Sequence, residues 1–500
     1  MSSEFQYNHC MREDLITTRE EHVKRLQDAG RNLYPTWNGR THSVTDIHEQ
    51  SEVLISDKTV VTTAGRLSAK RKHGGSTFAD IVDGGGKIQI WIKRDLVGVE
   101  NYTLIEALDL GDIVAFTGAV IKTEAGELTV QCEKWELLTK SLTPLPDTWY
   151  GLKDVEVRAR QRELDLLINK ESRETFVMRS KIIQAMREFL LRNNFMEVET
   201  PVLQSIAGGA SARPFTTHHN ALDLDLFLRI SPELYLKRMV VGGFERVFEV
   251  ARNFRNEGVD RQHNPEFTMC EFYMAYANID DLISLSEKMF SAIFSGVGKG
   301  DKITYQGVEL DFKAPWKQIS YVDTIKKETG IDVLEDVDPQ IYINYMNDNN
   351  FDLPESKSLP ALVDTLFKEA IRKKVVQPVI VRDFPTYMEP LAKRVEGNPK
   401  LVQRAQLVAM GAELFKAYTE LNDPIDQEKR FIEQERYREA GDAEAQHIDQ
   451  AFLTALKIGL PPTAGWGMGI DRLTMLLTDQ SHIRDVITFP LMRPETDSNA

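Results

Sequence analysis

Hydrophobic and polar residues alternate along two stretches between Gly243 and Tyr276, and a charged segment separates them. Alternation with a period of two predicts β-strands, because successive side chains of a strand point to opposite faces. The first strand divides into an apolar face and a mostly polar face, which are Phe248, Val250 and Phe254 against Glu249, Ala251, Asn253 and Arg255. One face of the second strand carries Phe267, Met269, Glu271 and Tyr273. The pattern predicts a hairpin with a core face and a ligand-binding face.

Short alternating strands also follow Val60, with turns near residues 73–75, 84–86 and 124–126. This spacing predicts a small five-stranded barrel of the OB-fold type. In one strand the inward and outward residues are Ile88, Ile90 and Ile92 against Gln89, Trp91 and Lys93. Outward aromatic side chains beside the basic run at residues 70–73 suit single-stranded nucleic acid. A solvated run of surface charge explains the basic residues equally well.

Two prolines in the segment TPLPDTW, residues 143–149, break regular structure and predict a linker. We therefore expect one domain over residues 1–143, with a helix and the barrel, and a second domain over residues 144–500. Early in the second domain, a long helix over about residues 172–193 precedes a strand that stops at Pro201. A helix and strand of this kind can build either a core or a subunit interface.

Composition narrows the classes of function. Of the 500 residues 42% are hydrophobic, which predicts a globular protein of more than one domain. The net charge of −15 argues against nucleic-acid binding by bulk charge, so any such contact should be regional. Cys10, Cys132 and Cys270 lack CxxC spacing, which argues against a disulfide framework or a thiolate zinc site and favours a cytoplasmic location. Because no apolar run approaches membrane-spanning length, we expect no membrane association.

Three glycines near the end of the chain alternate along another predicted strand. Gly465, Gly467 and Gly469 leave one face of that strand without side chains, so that a flat ligand can approach the backbone. Asp471 and Arg472 follow at the start of a helix. The spacing lacks both GxGxxG and GK[ST], which argues against a Rossmann or P-loop site.

The segments FRNEG, HNPEFTMCEFY and GMGIDR, together with the helix and strand before Pro201, resemble the three signature motifs of class II aminoacyl-tRNA synthetases. Within that class the chain resembles the lysyl-tRNA synthetase family over nearly its whole length, and the segment YTELNDP is also similar to that family. The resemblance implies an α+β fold, in which an antiparallel sheet with flanking helices follows an N-terminal OB-fold that binds the anticodon.

The resemblance also implies a function and a set of site residues. The implied reaction activates L-lysine with ATP and transfers it to tRNA(Lys), with Mg²⁺ as cofactor and a homodimer as the assembly. Arg255 and Arg472 are the implied catalytic residues, since guanidinium groups suit phosphate and carboxylate. The implied ATP-binding residues are Arg255, Glu257, His263, Phe267, Glu413 and Arg472. The implied lysine-binding residues are Gly209, Glu233, Arg255, Glu271, Tyr273, Lys416, Tyr418 and Glu420. The implied Mg²⁺ ligands are Glu413, Gln406 and Glu420, and the implied anticodon-binding residues are Arg66, Phe78 and Gln89.

The chain departs from the family pattern at a few positions. Gln406 stands where the family has a second metal-binding glutamate, Lys416 stands where it usually has asparagine, and Glu389 stands where it has serine. In the barrel, Lys134 replaces a glutamate, and Glu133 lies beside it. These departures leave two alternatives open: a lysine-activating relative with another acceptor, and a catalytically impaired tRNA-binding regulatory protein.

Overall fold

The computed structural model describes residues 3–145, 152, 154–210, 212–439 and 446–494, with the side chains of residues 3–13 left aside. The chain divides into two compact units, Met1–Lys153 and Asp154–Ala500, here named the barrel unit and the sheet unit. The predicted linker falls partly on residues 146–149, which lie outside the described residues, so the boundary at residue 143 stays a prediction. In the described part of the chain, no helix has the length and apolarity needed to cross a membrane.

In the barrel unit, three helices precede five strands, and two short helices lie between the third and fourth strands. Its helices are α1 (Ser3–Asp28), α2 (Val44–Glu49), α3 (Ser51–Ser56), α4 (Arg94–Val97) and α5 (Val99–Leu104). Its strands are β1 (Val60–His73), β2 (Ser76–Asp83), β3 (Gly86–Lys93), β4 (Ile113–Lys122) and β5 (Leu128–Thr139). They close into a barrel in the order β1-β2-β3-β5-β4. Ile88, Ile90 and Ile92 are buried in its core, as their alternation predicts.

The sheet unit contains the remaining elements. Its helices are α6 (Val155–Arg160), α7 (Arg162–Ile168), α8 (Lys170–Arg192), α9 (Glu233–Val241), α10 (Ile279–Gly296), α11 (Tyr321–Thr329), α12 (Pro339–Asp348), α13 (Leu359–Ala370), α14 (Pro424–Glu439), α15 (Gln450–Gly459) and α16 (Ile470–Thr478). Its strands are β6 (Met196–Glu197), β7 (Leu203–Gln204), β8 (Thr216–His219), β9 (Leu224–Leu228), β10 (Arg246–Phe254), β11 (Glu266–Ala275), β12 (Lys302–Tyr305), β13 (Val308–Asp311), β14 (Lys317–Ser320), β15 (Val379–Pro385), β16 (Arg394–Val395), β17 (Asn398–Ala409), β18 (Ala412–Thr419) and β19 (Thr463–Gly469).

A nine-stranded sheet organises this unit, in the order β14-β15-β17-β18-β19-β11-β10-β6, with β16 paired to β17. The predicted antiparallel sheet is confirmed for its central pairs, whereas the two edge pairs, β14 with β15 and β10 with β6, are parallel. The strand predicted to run up to Pro201 pairs only through Met196 and Glu197. The backbone nitrogen of Val198 still donates to the carbonyl of Phe248 at 2.9 Å, and the chain then leaves the sheet.

The two faces of the central strands differ as the sequence pattern predicts. Phe248, Phe272 and Trp466 lie on one face, and together with helices α8 and α10 they form a large apolar core. The rings of Phe272 and Trp466 stack with their centroids 4.8 Å apart. Burial of such aromatic side chains stabilises the fold by about 1.5–3 kcal/mol each. The core therefore fixes the strands whose opposite face carries the polar residues.

Candidate active site

The polar face of the sheet forms the floor of a cavity of about 540 Å³. Strands β11, β18 and β19 lie side by side there, so Glu271 and Lys416 flank Gly467 in one row of the register. The predicted site residues that line the cavity are Gly209, Glu233, Arg255, Glu257, His263, Phe267, Glu271, Tyr273, Glu413, Lys416, Tyr418 and Arg472. Gln406 and Glu420, also predicted for the site, do not line it.

Arg255 follows the end of β10 and reaches the cavity beside Phe267. Its guanidinium carbon lies 5.1 Å from the centroid of the Phe267 ring, and one terminal nitrogen donates to the carbonyl of Ile230 at 3.4 Å. None of the described residues hydrogen-bonds its buried Nε. A buried donor without a partner costs free energy, so this guanidinium is suited to an anionic ligand.

Arg472 is close enough to Arg255 for their charges to interact. Hydrogen bonds with neighbouring residues hold its guanidinium in place. Its Nη1 donates to the carbonyl of Glu413 at 3.0 Å, and its Nη2 lies 3.2 Å from His263 Nε2. Since arginine only donates, His263 Nε2 accepts and its Nδ1 carries the proton, which faces Asp260 at 2.8 Å. Burial lowers the pKa of Arg472, although Glu413 opposes this effect. The chain of contacts orients a guanidinium at one end of the cavity.

Asp471 fixes the start of helix α16, and therefore Arg472. Its carboxylate accepts from the backbone nitrogen of Thr268 at 2.8 Å and pairs with Arg179 at 2.6 Å. Arg179 belongs to helix α8, so the contacts of Asp471 join helix α8, strand β11 and helix α16. Buried ion pairs of this kind restrict geometry more than they add stability.

The other end of the cavity is acidic. Glu271 accepts from Ser231 at 2.9 Å, and the hydroxyl of Tyr273 lies 3.5 Å from its second oxygen. Burial, together with the nearby carboxylate of Glu233, raises the pKa of Glu271 to about 8. A buried carboxyl group that lacks a fixed cation is suited to a cationic ligand.

Lys237 is a site residue that was not predicted from the sequence, and its buried ammonium joins two of the residues predicted to bind lysine. Its Nζ lies 2.7 Å from Glu233 and 2.5 Å from Glu420. Burial alone would lower the pKa of Lys237, but these two carboxylates raise it, while burial raises the pKa of Glu420. Glu420 is thus linked through Lys237 to Glu233, which lines the cavity. The spacing of Glu233 and Lys237, four residues apart on a helix, was the available signal.

The glycines have two different roles here. Gly209 has a φ of 84°, and a Cβ at this position would lie 2.8 Å from the Cβ of Glu233, so only glycine fits. At Gly465 the expected open space is wrong, because a Cβ there would collide with Glu420 and Tyr273. Gly467 and Gly469 do leave room toward the cavity. The flat surface is therefore shorter than the alternation predicts.

Glu389 and Gln406, two of the residues that depart from the family pattern, share Arg404 as a partner, and a third, Lys416, lies on the strand beside Gln406. Arg404 contacts Glu389 and donates to the side-chain oxygen of Gln406 at 2.8 Å. Lys416 lies opposite Gln406 in the register, and its Nζ is 3.5 Å from Glu413. Burial works to raise the pKa of Glu413, but Lys416, Arg472, Arg404 and Arg372 together lower it to about 2.

The predicted Mg²⁺ ligands do not fit a shared ion. Glu413 and Glu420 are seven residues apart along or just beyond β18, which corresponds to about 20 Å of extended chain. Gln406 uses its amide oxygen for Arg404, and Glu420 pairs with Lys237. In the described residues, no group of three or more His, Cys, Asp or Glu side chains could hold a metal ion. The three-ligand set implied by the resemblance therefore stays a prediction, and the partners of Gln406 and Glu420 do not favour it.

The outer face of the barrel carries the predicted anticodon residues. Phe78 stacks on Trp91 with centroids 5.5 Å apart, and Gln89 accepts from Thr129 at 2.9 Å. Arg66 donates to the carbonyl of Gly111 at 2.7 Å. The rings and amide thus share one face, and Lys93 lies 3.6 Å above the Trp91 ring.

The basic run beside these residues is largely occupied within the barrel unit. Lys70 donates to backbone carbonyls, among them that of Ile105 at 3.1 Å, and Lys72 lies 2.5 Å from Glu106. Arg71 pairs with Asp80 at 3.2 Å. These contacts therefore argue against the interpretation of the basic run as a free phosphate-binding cluster.

Comparison with known proteins agrees with this architecture. Residues 154–493 match the family described as tRNA synthetases class II (D, K and N), and residues 61–138 match the OB-fold nucleic acid binding domain. The chain therefore belongs to the class II tRNA synthetases of the aspartate, lysine and asparagine group.

Similar curated proteins are named lysine–tRNA ligase. The protein from Carboxydothermus hydrogenoformans is 47% identical over 481 residues, which cover 96% of this chain and 98% of the relative. The protein from Thermoanaerobacter pseudethanolicus is 46% identical and covers 97% of both chains. The protein from Clostridium tetani is 46% identical over 99% of this chain and 98% of its own length.

Proposed function

We propose that the chain activates L-lysine with ATP and transfers lysine to the 3′ end of tRNA(Lys). The observation that carries the proposal is the polarity of the cavity, with Arg255 and Arg472 at one end and Glu233 and Glu271 at the other. The guanidinium groups suit phosphate, and the carboxyl groups suit an amino acid with two ammonium groups. Similarity to lysine–tRNA ligases over nearly the full chain supports this assignment.

In the proposed first step, a carboxylate oxygen of lysine attacks the α-phosphorus of ATP, and pyrophosphate leaves. Arg255 would hold the α-phosphate and the lysine carboxylate together, and Arg472 would lie against the nucleotide, opposite Phe267. Glu257, His263 and Glu413 would complete the ATP site. The attacking carboxylate is already ionised, so the step needs positioning and charge neutralisation rather than a general base.

In the proposed second step, a ribose hydroxyl at the 3′ end of the tRNA attacks the lysyl carbonyl, and AMP leaves. Glu271 and Tyr273 would bind the ε-ammonium, with Glu420 acting through Lys237. Glu233 would bind the α-ammonium, with Gly209 offering its backbone, while Tyr418 would bound the pocket. On the barrel, Arg66, Phe78 and Gln89 would read the anticodon, with aromatic stacking as the main contact.

We also propose a homodimer and a cytoplasmic location. Exposed apolar residues concentrate between residues 177 and 244, around helix α8 and strands β6, β7 and β9: Val177, Leu191, Met196, Val202, Leu203, Leu222, Leu224 and Phe244. Concentrated exposed apolar surface is typical of protein interfaces. Cys132 and Cys270 are free and buried, which suits a reducing compartment.

Two assays in sequence test the function. Lysine-dependent exchange of pyrophosphate into ATP measures activation, and charging of tRNA(Lys) measures transfer. We expect both activities, with lysine preferred over aspartate and asparagine. Exchange without charging would favour the relative with another acceptor, whereas no exchange would favour the regulatory tRNA-binding protein.

A further inference from the structure

One wall of the cavity carries its own positive charge. Lys416 is on β18, lines the cavity, and keeps 40% of its side chain exposed. Its Nζ lies 3.5 Å from one oxygen of Glu413, and Nη1 of Arg472 lies 4.0 Å from the other oxygen. Glu413 therefore has a cation beside each oxygen, and Lys416 lies at the Arg472 end of the cavity.

The residue opposite Lys416 adds no charge. Gln406 is directly across from Lys416 in the register of β17 and β18, and it is only 3% exposed. Its amide oxygen accepts from Arg404, which also contacts Glu389. The amide is thus oriented away from a ligand role by a buried network, and the excess charge of Arg404 is offset by Glu389 rather than by Gln406.

This arrangement disfavours a divalent ion bound by the protein at Glu413. Mg²⁺ needs octahedral oxygen ligands and gives up its water reluctantly. Here one carboxylate is available, and an ammonium already lies 3.5 Å from it. The ammonium of Lys416 would strongly repel a divalent ion bound at Glu413, because the two cations would lie only a few ångströms apart. A ligand that carries negative charge would instead be attracted by this ammonium.

We propose that the ammonium of Lys416 binds a phosphate oxygen of ATP and takes the place of a protein-bound divalent ion on this wall. The proposal rests on the proposed ATP-dependent function. Glu413 acts as the positioning residue that keeps the ammonium directed toward the Arg472 end. An ATP molecule would still carry the Mg²⁺ that it binds in solution, while the wall itself would hold none.

Nucleotide binding without metal provides the first test. Calorimetry would measure ATP affinity with Mg²⁺ and with EDTA for the full chain, Lys416→Met and Lys416→Arg. We expect Lys416→Met to lose at least about tenfold in affinity in EDTA and Lys416→Arg to lose less. Lys368→Met is the matched control, because Lys368 also lines the cavity but pairs with Asp364 at 2.5 Å. Equal ATP affinity of the unmodified chain and Lys416→Met in EDTA would overturn the proposal.

Direct metal binding provides a second readout that does not depend on activity. Titration with Mn²⁺ without nucleotide, followed by electron paramagnetic resonance, should show no tight ion in the unmodified chain. The double variant Gln406→Glu, Lys416→Asn should gain about one Mn²⁺ per chain and lose it again when Glu413→Gln is added. Tight Mn²⁺ in the unmodified chain that disappears with Glu413→Gln would contradict the inference while leaving the proposed function intact. Failure to bind ATP even with Mg²⁺ would remove the proposed function, and the inference with it.

Discussion

At the residue scale, Glu271 should control lysine binding and its dependence on pH. We expect Glu271→Gln to weaken lysine binding by at least about tenfold, or about 1.4 kcal/mol, and to weaken ATP binding much less. The reason is that the carboxylate is the proposed partner of the ε-ammonium, while Ser231 and Tyr273 supply only neutral contacts. Calorimetric titrations of lysine and ATP against both proteins measure this difference. Equal losses for the two substrates would refute the assignment.

The raised pKa of Glu271, to about 8, fixes the direction of the pH effect. Burial is the largest cause of this pKa; Glu233 and Glu249 also raise it, and Ser231 and Arg255 lower it. Below pH 8 the free protein keeps the proton, and ammonium binding must release it, so lysine affinity should rise with pH by up to about tenfold per unit until pH 8.

The raised pKa of Glu271 also affects stability. Between the ordinary carboxyl pKa and pH 8, it lowers the free energy of unfolding as the pH rises, because the unfolded chain loses the proton first. Glu271→Gln should therefore unfold at a higher urea concentration than the unmodified chain at pH 8.

A glutamate on the same strand provides the control. Glu266 is exposed and forms an ion pair with Arg252 at 3.4 Å. Glu266→Gln should leave both the lysine affinity and its pH profile unchanged, since surface ion pairs contribute little. A pH profile that stays steep in Glu271→Gln would assign the titration to another group.

Much of the site could be predicted from the sequence because the cavity residues lie on regular strands. Alternation alone places Phe267, Glu271 and Tyr273 on one face, and the register confirms this face. Lys237 and Arg404 each have one local partner, Glu233 and Gln406, but their second partners come from other segments of the chain and could not be predicted in the same way. The pairing of Lys237 with Glu420, for example, depends on a tertiary contact between helix α9 and the residue that follows β18.

At the element scale, the glycine-rich strand β19 should tolerate side chains unequally. We expect Gly465→Ala to destabilise the protein by about 1–3 kcal/mol and to weaken lysine binding, because the added methyl group collides with Tyr273 and Glu420. Gly469→Ala is the comparison, since a Cβ there meets no atom within 4 Å. Urea unfolding midpoints measure the difference. Equal destabilisation by the two substitutions would contradict the steric account.

The elements themselves were predictable where local pattern decides them. The barrel strands and helix α8 follow their apolar periodicity closely. The parallel pairing of the two edge strands could not be predicted from the sequence, because each edge strand pairs with a strand that is distant along the chain. The register shift between Thr117 and Gly118, opposite Glu133 and Lys134, could not be predicted either. A single extra residue in one strand leaves no signal in the composition of the sequence. The paired state of the basic run likewise depends on Glu106, which is remote in sequence.

At the scale of the whole molecule, the exposed apolar residues around helix α8 should mediate the proposed dimer. We expect the chain to sediment as a dimer at micromolar concentration, and Leu224→Asp to shift it toward the monomer. Leu224 is 43% exposed on β9, so the substitution should disturb the surface rather than the core. Ile458→Asp is the control, because this residue is 77% exposed at the end of α15, outside the apolar stretch. A monomeric mass for the unmodified chain would refute the dimer.

The burial of Lys237 makes its amine a reporter of local opening. Amine-reactive reagents should modify exposed lysines such as Lys170, whose side chain is 88% exposed, long before Lys237, which is fully buried. Modification of Lys237 then requires helix α9 to separate from the sheet, so its rate, read by mass spectrometry of peptides, follows the opening equilibrium of the lysine pocket. Saturating lysine should slow that rate while leaving Lys170 unaffected. A single side chain thereby allows the dynamics of substrate entry to be timed in the unmodified protein.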